Sequence, residues 1–164
     1  MTTLEANGVN VTDNGPLAYL PDRVLRGLSA ATLATSGYIH AELYVDGYRF
    51  IHVVGVLFLL QAAASFALSA LLLAGTVLRP PALVDLAAAG TAAGALAGFV
   101  ASRTVGVFGF IEHGFQPAPK ALISVLVEVA TLGLLAVVAI LALRRHAANR
   151  GTTEDRSAAD RRAA

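Results

Sequence analysis

Three apolar runs set apart by proline-containing breaks constrain this chain more than any other feature. Residues 52–78, 82–102 and 121–143 each reach the length of about 20 mostly apolar residues that crossing a bilayer requires. Arg79-Pro80-Pro81 divides the first from the second, and Gln116-Pro117-Ala118-Pro119 precedes the third. Proline lacks an amide donor and its ring clashes with the preceding turn, so helices stop at such breaks. The second run continues in apolar character to Phe110, which predicts a helix over 82–110.

A fourth segment, residues 24–45, is long enough to cross but carries Ser29, Thr32, Thr35, Ser36, Gly37 and His40. Serine and threonine can bond to their own helix backbone, so they are tolerated in lipid. We read this segment as a first spanning helix; the alternative is an amphipathic helix lying on the surface.

The charge distribution agrees. Only 14% of residues are charged and 56% are hydrophobic, against about 25% charged in soluble domains. The charges gather mainly before residue 27, in the connectors and after residue 143. No strand pattern is present. The expected fold is therefore all-α: an integral membrane four-helix bundle with disordered polar tails. Residues 1–22 form a polar N-terminal tail, 23–145 the transmembrane domain, and 146–164 a C-terminal tail too poor in apolar surface to order itself. The first 22 residues hold no Lys or Arg and no apolar run, which argues for a retained tail rather than a secretory signal.

Orientation follows from Lys and Arg near the helix ends. Arg23, Arg26, Arg79, Arg144, Arg145 and Arg150 share one side; Arg49, Arg103 and Lys120 share the other. Both termini are expected in the cytoplasm. Eleven arginines against one lysine, with abundant alanine, match GC-rich bacterial coding and a bacterial plasma membrane.

A net charge of +1 gives no reason to expect a nucleic-acid partner, and the absence of cysteine excludes disulfides and thiolate chemistry. There is no phosphate-cradling loop between strand and helix, no HExxH pair and no serine nucleophile elbow. We expect no catalytic residues and no cofactor.

Three constellations remain. Gly90, Gly94 and Gly98, extended by Ser102 and Gly106, repeat every four residues and predict a smooth helix ridge that a neighbouring helix approaches closely, in this chain or in a second copy. The second helix offers its own small face at Ala63, Ala67, Ala70 and Ala74. Within the membrane, Glu128 lies eight residues beyond Lys120 and Gln61 nine beyond His52, so both sit about 12–14 Å below the same surface. Arg103 reaches that level if its helix runs to Phe110, and Thr35 and Ser36 fall near it. Ionisable groups in lipid are costly, so Glu128 should face the interior with Gln61 or Arg103 as partner. At the outer rim, His40, Glu42, Asp46, Arg49, His52, Glu112 and His113 gather. His40, His52, Glu112 and His113 have the donor types of a metal site, though no known metal spacing.

The run Arg23–Ser36, followed by Gly37-Tyr38-Ile39-His40, a short polar connector and a long apolar helix, resembles the DoxX-like group of small four-helix membrane proteins. Gly47-Tyr48-Arg49-Phe50-Ile51 and Val105-Gly106-Val107-Phe108-Gly109-Phe110 look like actinobacterial integral membrane proteins of this size. The resemblance implies four spans and, for some members, a link to quinone-coupled sulfur oxidation or thiol-stress complexes. It carries over no catalytic residue. Three functional expectations follow: a non-enzymatic component or modulator of a membrane complex, its partner in the lipid bilayer being a second copy or another membrane protein; a DoxX-like redox or quinone-associated subunit; or a small proton-linked carrier using Glu128.

Overall fold

The computed structural model describes residues 20–78 and 82–163. The polar tail before residue 20 and the Arg79-Pro80-Pro81 break lie outside the described residues. Among the described residues four helices follow one another, α1 (Leu20–Asp46), α2 (His52–Leu78), α3 (Ala82–Thr104) and α4 (Lys120–Ala163), with a 3-10 turn at Tyr48–Phe50. Among the described residues there is no strand, only an isolated bridge between Val107 and Phe110. The all-α bundle expected from the apolar runs is what the chain forms.

Polar pairs fix the alternating direction of the helices. At one end Arg145 of α4 binds Asp22 of α1, and Arg26 of α1 binds Asp85 of α3. At the other, Lys120 of α4 lies 3.2 Å from Glu42 and 2.6 Å from Asp46 of α1. Asp22 and Asp46 are 24 positions apart and Lys120 and Arg145 are 25, about 36–38 Å along a helix. That span fits a hydrocarbon layer of about 30 Å with its interfaces. α1 packs along α2 and α4, α2 against α3, and α3 against α4, closing an up-and-down ring.

Small polar side chains share the interior with apolar ones, and large apolar side chains cover the outside. Ser29, Ser36, Ser65, Ser69, Ser102, Ser124, Glu128 and Thr131 are buried, while Leu60, Phe66, Leu73, Leu126, Val129 and Ile140 are exposed. An apolar outer surface with polar groups turned inward suits a bilayer, where the driving force between helices is packing and hydrogen bonding rather than water exclusion. α2, α3 and α4 are each long and apolar enough to cross. α1 is as long as α2, and its lower apolarity comes partly from small polar residues turned inward. Their hydroxyls bond the preceding turn, as from Ser29 to the Leu25 carbonyl at 2.8 Å. Thr32 and Thr131 join α1 to α4 at 2.7 Å.

The terminal half of the bundle is closed by Ala30, Leu33, Leu72, Ala88 and Leu135, drawn from all four helices. The tightest helix contact is Gly37 of α1 against α2: a β-carbon placed on Gly37 would stand 2.9 Å from Ser65 Cβ and 3.3 Å from the Ala62 carbonyl oxygen.

Three boundaries depart from expectation. α1 begins at Leu20, within the expected polar tail, with Pro21 near its start, where a missing amide donor costs nothing. α3 stops at Thr104 rather than Phe110. Gly106, at φ 80, donates to the Ala101 carbonyl at 2.8 Å and closes the helix. Phe108 (φ 51) and Gly109 (φ 84) then make a tight reversal, with Val107 and Phe110 exchanging both backbone bonds at 2.8 and 2.9 Å. The apolar character of 105–110 hid a turn whose signal was its two glycines. Finally, α4 continues through the segment expected to be disordered, to Ala163. Alanine and arginine are strong helix formers, and extending an existing helix avoids the nucleation cost.

Candidate functional site: a cavity in the connector-side half

Beyond the packed half, the helices diverge around a cavity of about 410 Å³. α3 makes the room for it. Gly94 and Gly98 line the cavity, and a β-carbon on Gly90, Gly94 or Gly98 would meet nothing within 4 Å. The predicted ridge is therefore no helix–helix seam within this chain; two of its glycines form a side-chain-free wall. Ser102 continues that wall and is buried, but Gly106 lies past the end of the helix. The alanine face of α2 is also uncovered: Ala63, Ala67, Ala70 and Ala74 are exposed, while Ala62, Ser65, Ser69 and Leu72 pack inward.

Glu128 forms the deep polar end. Its side chain is 1% exposed. Ser36 of α1 and Ser124 of α4 donate hydroxyl hydrogens to its Oε1, at 3.0 and 2.9 Å. His40 Nε2 stands 4.0 Å from the same oxygen. The His40 Nδ1 lies 2.9 Å from the Ser36 carbonyl oxygen. A carbonyl can only accept, so Nδ1 carries a proton; in the neutral form of the ring the Nε2 lone pair then faces Glu128. Among the described residues nothing bonds Oε2.

The expected partners of Glu128 are elsewhere. Gln61 lines the cavity, but its amide donates to the Thr91 carbonyl on α3 at 3.2 Å. Arg103 also lines the cavity, but at the connector end. Because α3 ends one residue later, Arg103 reaches into the following connector rather than down to Glu128. It pairs with Glu112 at 3.1 Å, donates to the Gly114 and Gln116 carbonyls at 2.7 and 2.5 Å, and stacks 3.7 Å over Phe99. Tyr48 donates its hydroxyl to Glu112 as well. Burial, reinforced by the Glu112 carboxylate, pushes the Tyr48 phenol above its usual range, so it stays a donor. Thr35 faces outward and bonds the Ala31 carbonyl at 2.9 Å. Of the predicted intramembrane cluster, Ser36 alone touches Glu128.

Two neighbours of Glu128 were missed, and both had a signal. Ser124 stands four residues before Glu128, and His40 four after Ser36, the spacing that puts side chains on one helix face. The four candidate metal donors are not brought together. His52 and His113 are exposed, Glu112 is held by Arg103 and Tyr48, and His40 is turned inward. No group of three or more His, Asp or Glu suited to a metal ion occurs among the described residues.

The walls are apolar and aromatic. Tyr48 stacks on Phe58 with centroids 4.4 Å apart, His40 lies 5.2 Å from the same ring, and Phe110 meets Tyr48 edge-on at 5.8 Å. Leu57, Leu60, Gly94 and Gly98 line the cavity and are exposed, so it opens between α2 and α3.

No family model, curated protein or solved structure matches this chain. Fold and site together define its class: a small helical-bundle protein of membrane type with an internal polar-ended cavity.

Proposed function

We propose that this chain is a small ligand-binding membrane protein, a proton-linked carrier built on Glu128. The observation that carries this reading is a cavity whose deep end is a buried carboxylate with one oxygen unbonded. Ligand sites of this kind are concave and mostly apolar, with a few convergent polar groups. An intramembrane carboxylate facing such a space is a functional group by default, because its burial has a cost that structure alone does not require. We place the protein in a bacterial plasma membrane with both termini cytoplasmic, following the arginine distribution.

The reading as a non-enzymatic component or modulator of a membrane complex keeps one specific support. The small face of α2 at Ala63, Ala67, Ala70 and Ala74 is left uncovered, as a partner helix or second copy would require. No observation favours the quinone-associated reading.

Thermal unfolding of the purified chain in detergent, screened against small amphipathic molecules of each charge class, tests the carrier. At least one class should raise the melting temperature of the parent and fail to raise that of Gly98→Leu. A screen without such a pair of results overturns the reading.

A further inference from the structure

We propose, resting on the carrier reading above, that the cavity takes a monovalent organic cation with an apolar body, its charged head against Glu128 Oε2. The charges lining the cavity point to this choice. Glu112 is neutralised by Arg103 at 3.1 Å, and other Arg103 donors go to the Gly114 and Gln116 carbonyls. Glu128 has no Arg or Lys partner among the described residues; the nearest basic group is His40, 4.0 Å away. In its neutral form His40 supplies no counter-charge: Nδ1–H goes to the Ser36 carbonyl and the Nε2 lone pair faces the site. Oε1 accepts from both serines, whereas Oε2 accepts from none among the described residues. A carboxylate oxygen without a donor at the edge of a largely apolar cavity favours a donor or a positive charge beside it.

The walls fit the same ligand. Phe58 and Tyr48 present aromatic surface to the cavity, and ring faces attract cations most strongly where water is excluded. Arg103 already uses the face of Phe99 in this way. The opening between α2 and α3, bordered by Leu57, Leu60, Gly94 and Gly98, gives the apolar body a route from the bilayer. An anion would meet Glu128 unfavourably and would find Arg103 committed to Glu112.

A proton competes with the cation for the same oxygen. The other titratable groups at the cavity are His40 on α1, Tyr48 after it, Arg103 on α3 and Glu112 in the following connector; α2 contributes only the uncharged Gln61. Cation binding should therefore release a proton under conditions where Glu128 is protonated, and weaken as pH falls.

Three probes of one size separate the possibilities: benzyltrimethylammonium, its neutral carbon isostere neopentylbenzene, and phenylmethanesulfonate. Binding of each to the full chain in detergent is measured by calorimetry and by melting temperature. The cation should bind saturably and at least about tenfold more tightly than the isostere, equivalent to about 1.4 kcal/mol. It should lose that advantage in Glu128→Gln and lose binding in Gly98→Leu. Equal affinity for cation and isostere in the parent overturns the charge inference, whether or not the Glu128 variant folds. Saturable binding of the isostere or the anion, lost in Gly98→Leu, keeps the carrier and sinks the cation. Binding of none of the three overturns the cation inference, and the wider screen then decides the carrier reading separately.

Discussion

Gly37 and Ser65 bring α1 and α2 so close that a β-carbon on the glycine would lie 2.9 Å from the serine Cβ. The contact sits between the packed half of the bundle and the cavity. Next to Gly37, Ser36 turns its hydroxyl to Glu128. The helix approach thus sets the position of a cavity residue.

Gly37→Leu should therefore destabilise the bundle by about 1–3 kcal/mol, the range for overpacking a filled site. Gly37→Ala should fall at the lower end, because Ser65 Cβ and the Ala62 carbonyl must both yield. Thermal unfolding in detergent reads both. Unchanged melting in Gly37→Leu would mean that α1 and α2 do not meet here.

Gly94→Leu should behave differently. Its sequence pattern predicts a packed seam, yet nothing lies within 4 Å of a β-carbon there. Stability should stay within about 0.5 kcal/mol of the parent, as for open positions, while the cavity loses volume. A large loss of stability would show that another helix, from a second copy, covers this face.

The contrast between these two glycines shows where the sequence was legible. Length and apolarity located α2 to the residue, because a bilayer sets both. The buried carboxylate was legible from cost alone. The spacing of small residues was not enough to say which face packs. GxxxG marks a helix surface without side chains, and such a surface can admit a neighbour or border a void. Depth along the helix likewise grouped Glu128, Gln61 and Arg103, and all three do line one cavity. It could not assign partners, because hydrogen bonds depend on rotation about each helix and on where α3 ends. That end was set by Gly106 and Gly109, whose positive φ values permit the turn.

Arg103 should act as the clasp of the α3–α4 connector, since it holds Glu112 and the Gly114 and Gln116 carbonyls together. In Arg103→Gln, amide exchange across residues 105–116 should accelerate while the middle of α2 stays protected. Mass-spectrometric exchange measures both. Equal protection in the two proteins would remove Arg103 from this role.

The topology prediction rests on α1. Its charged pairs with α4 at both ends imply that the two helices traverse the same thickness. A reporter active only in the cytoplasm should then be active at either terminus. Activity at one terminus alone would mean that α1 lies on the surface or that the number of crossings is odd.

The last prediction concerns the dependence of Glu128 on its two serines. Each hydroxyl has an alternative acceptor in the carbonyl four residues earlier, the bond that Ser29 and Ser69 already make. The carboxylate has no comparable alternative. Removing Ser36 and Ser124 together should cost about 1–3 kcal/mol for each lost donor, the penalty for a buried acceptor left unsatisfied. Alternatively Glu128 takes up a proton and part of that cost disappears. Glu128→Leu, by contrast, removes the buried polar group and lets the serines bond their own helices, so its stability should match or exceed the parent's while cation binding is lost. The effects should also be non-additive: placing Glu128→Leu in the Ser36→Ala, Ser124→Ala background should recover most of the lost stability, because the group that needed the serines is gone. Unfolding of the four proteins in detergent completes the cycle, and infrared difference spectra with Glu128→Gln identify the carboxyl band. Additive losses would mean that the serines stabilise the bundle independently of Glu128, and the carboxylate would then have no structural claim on α1.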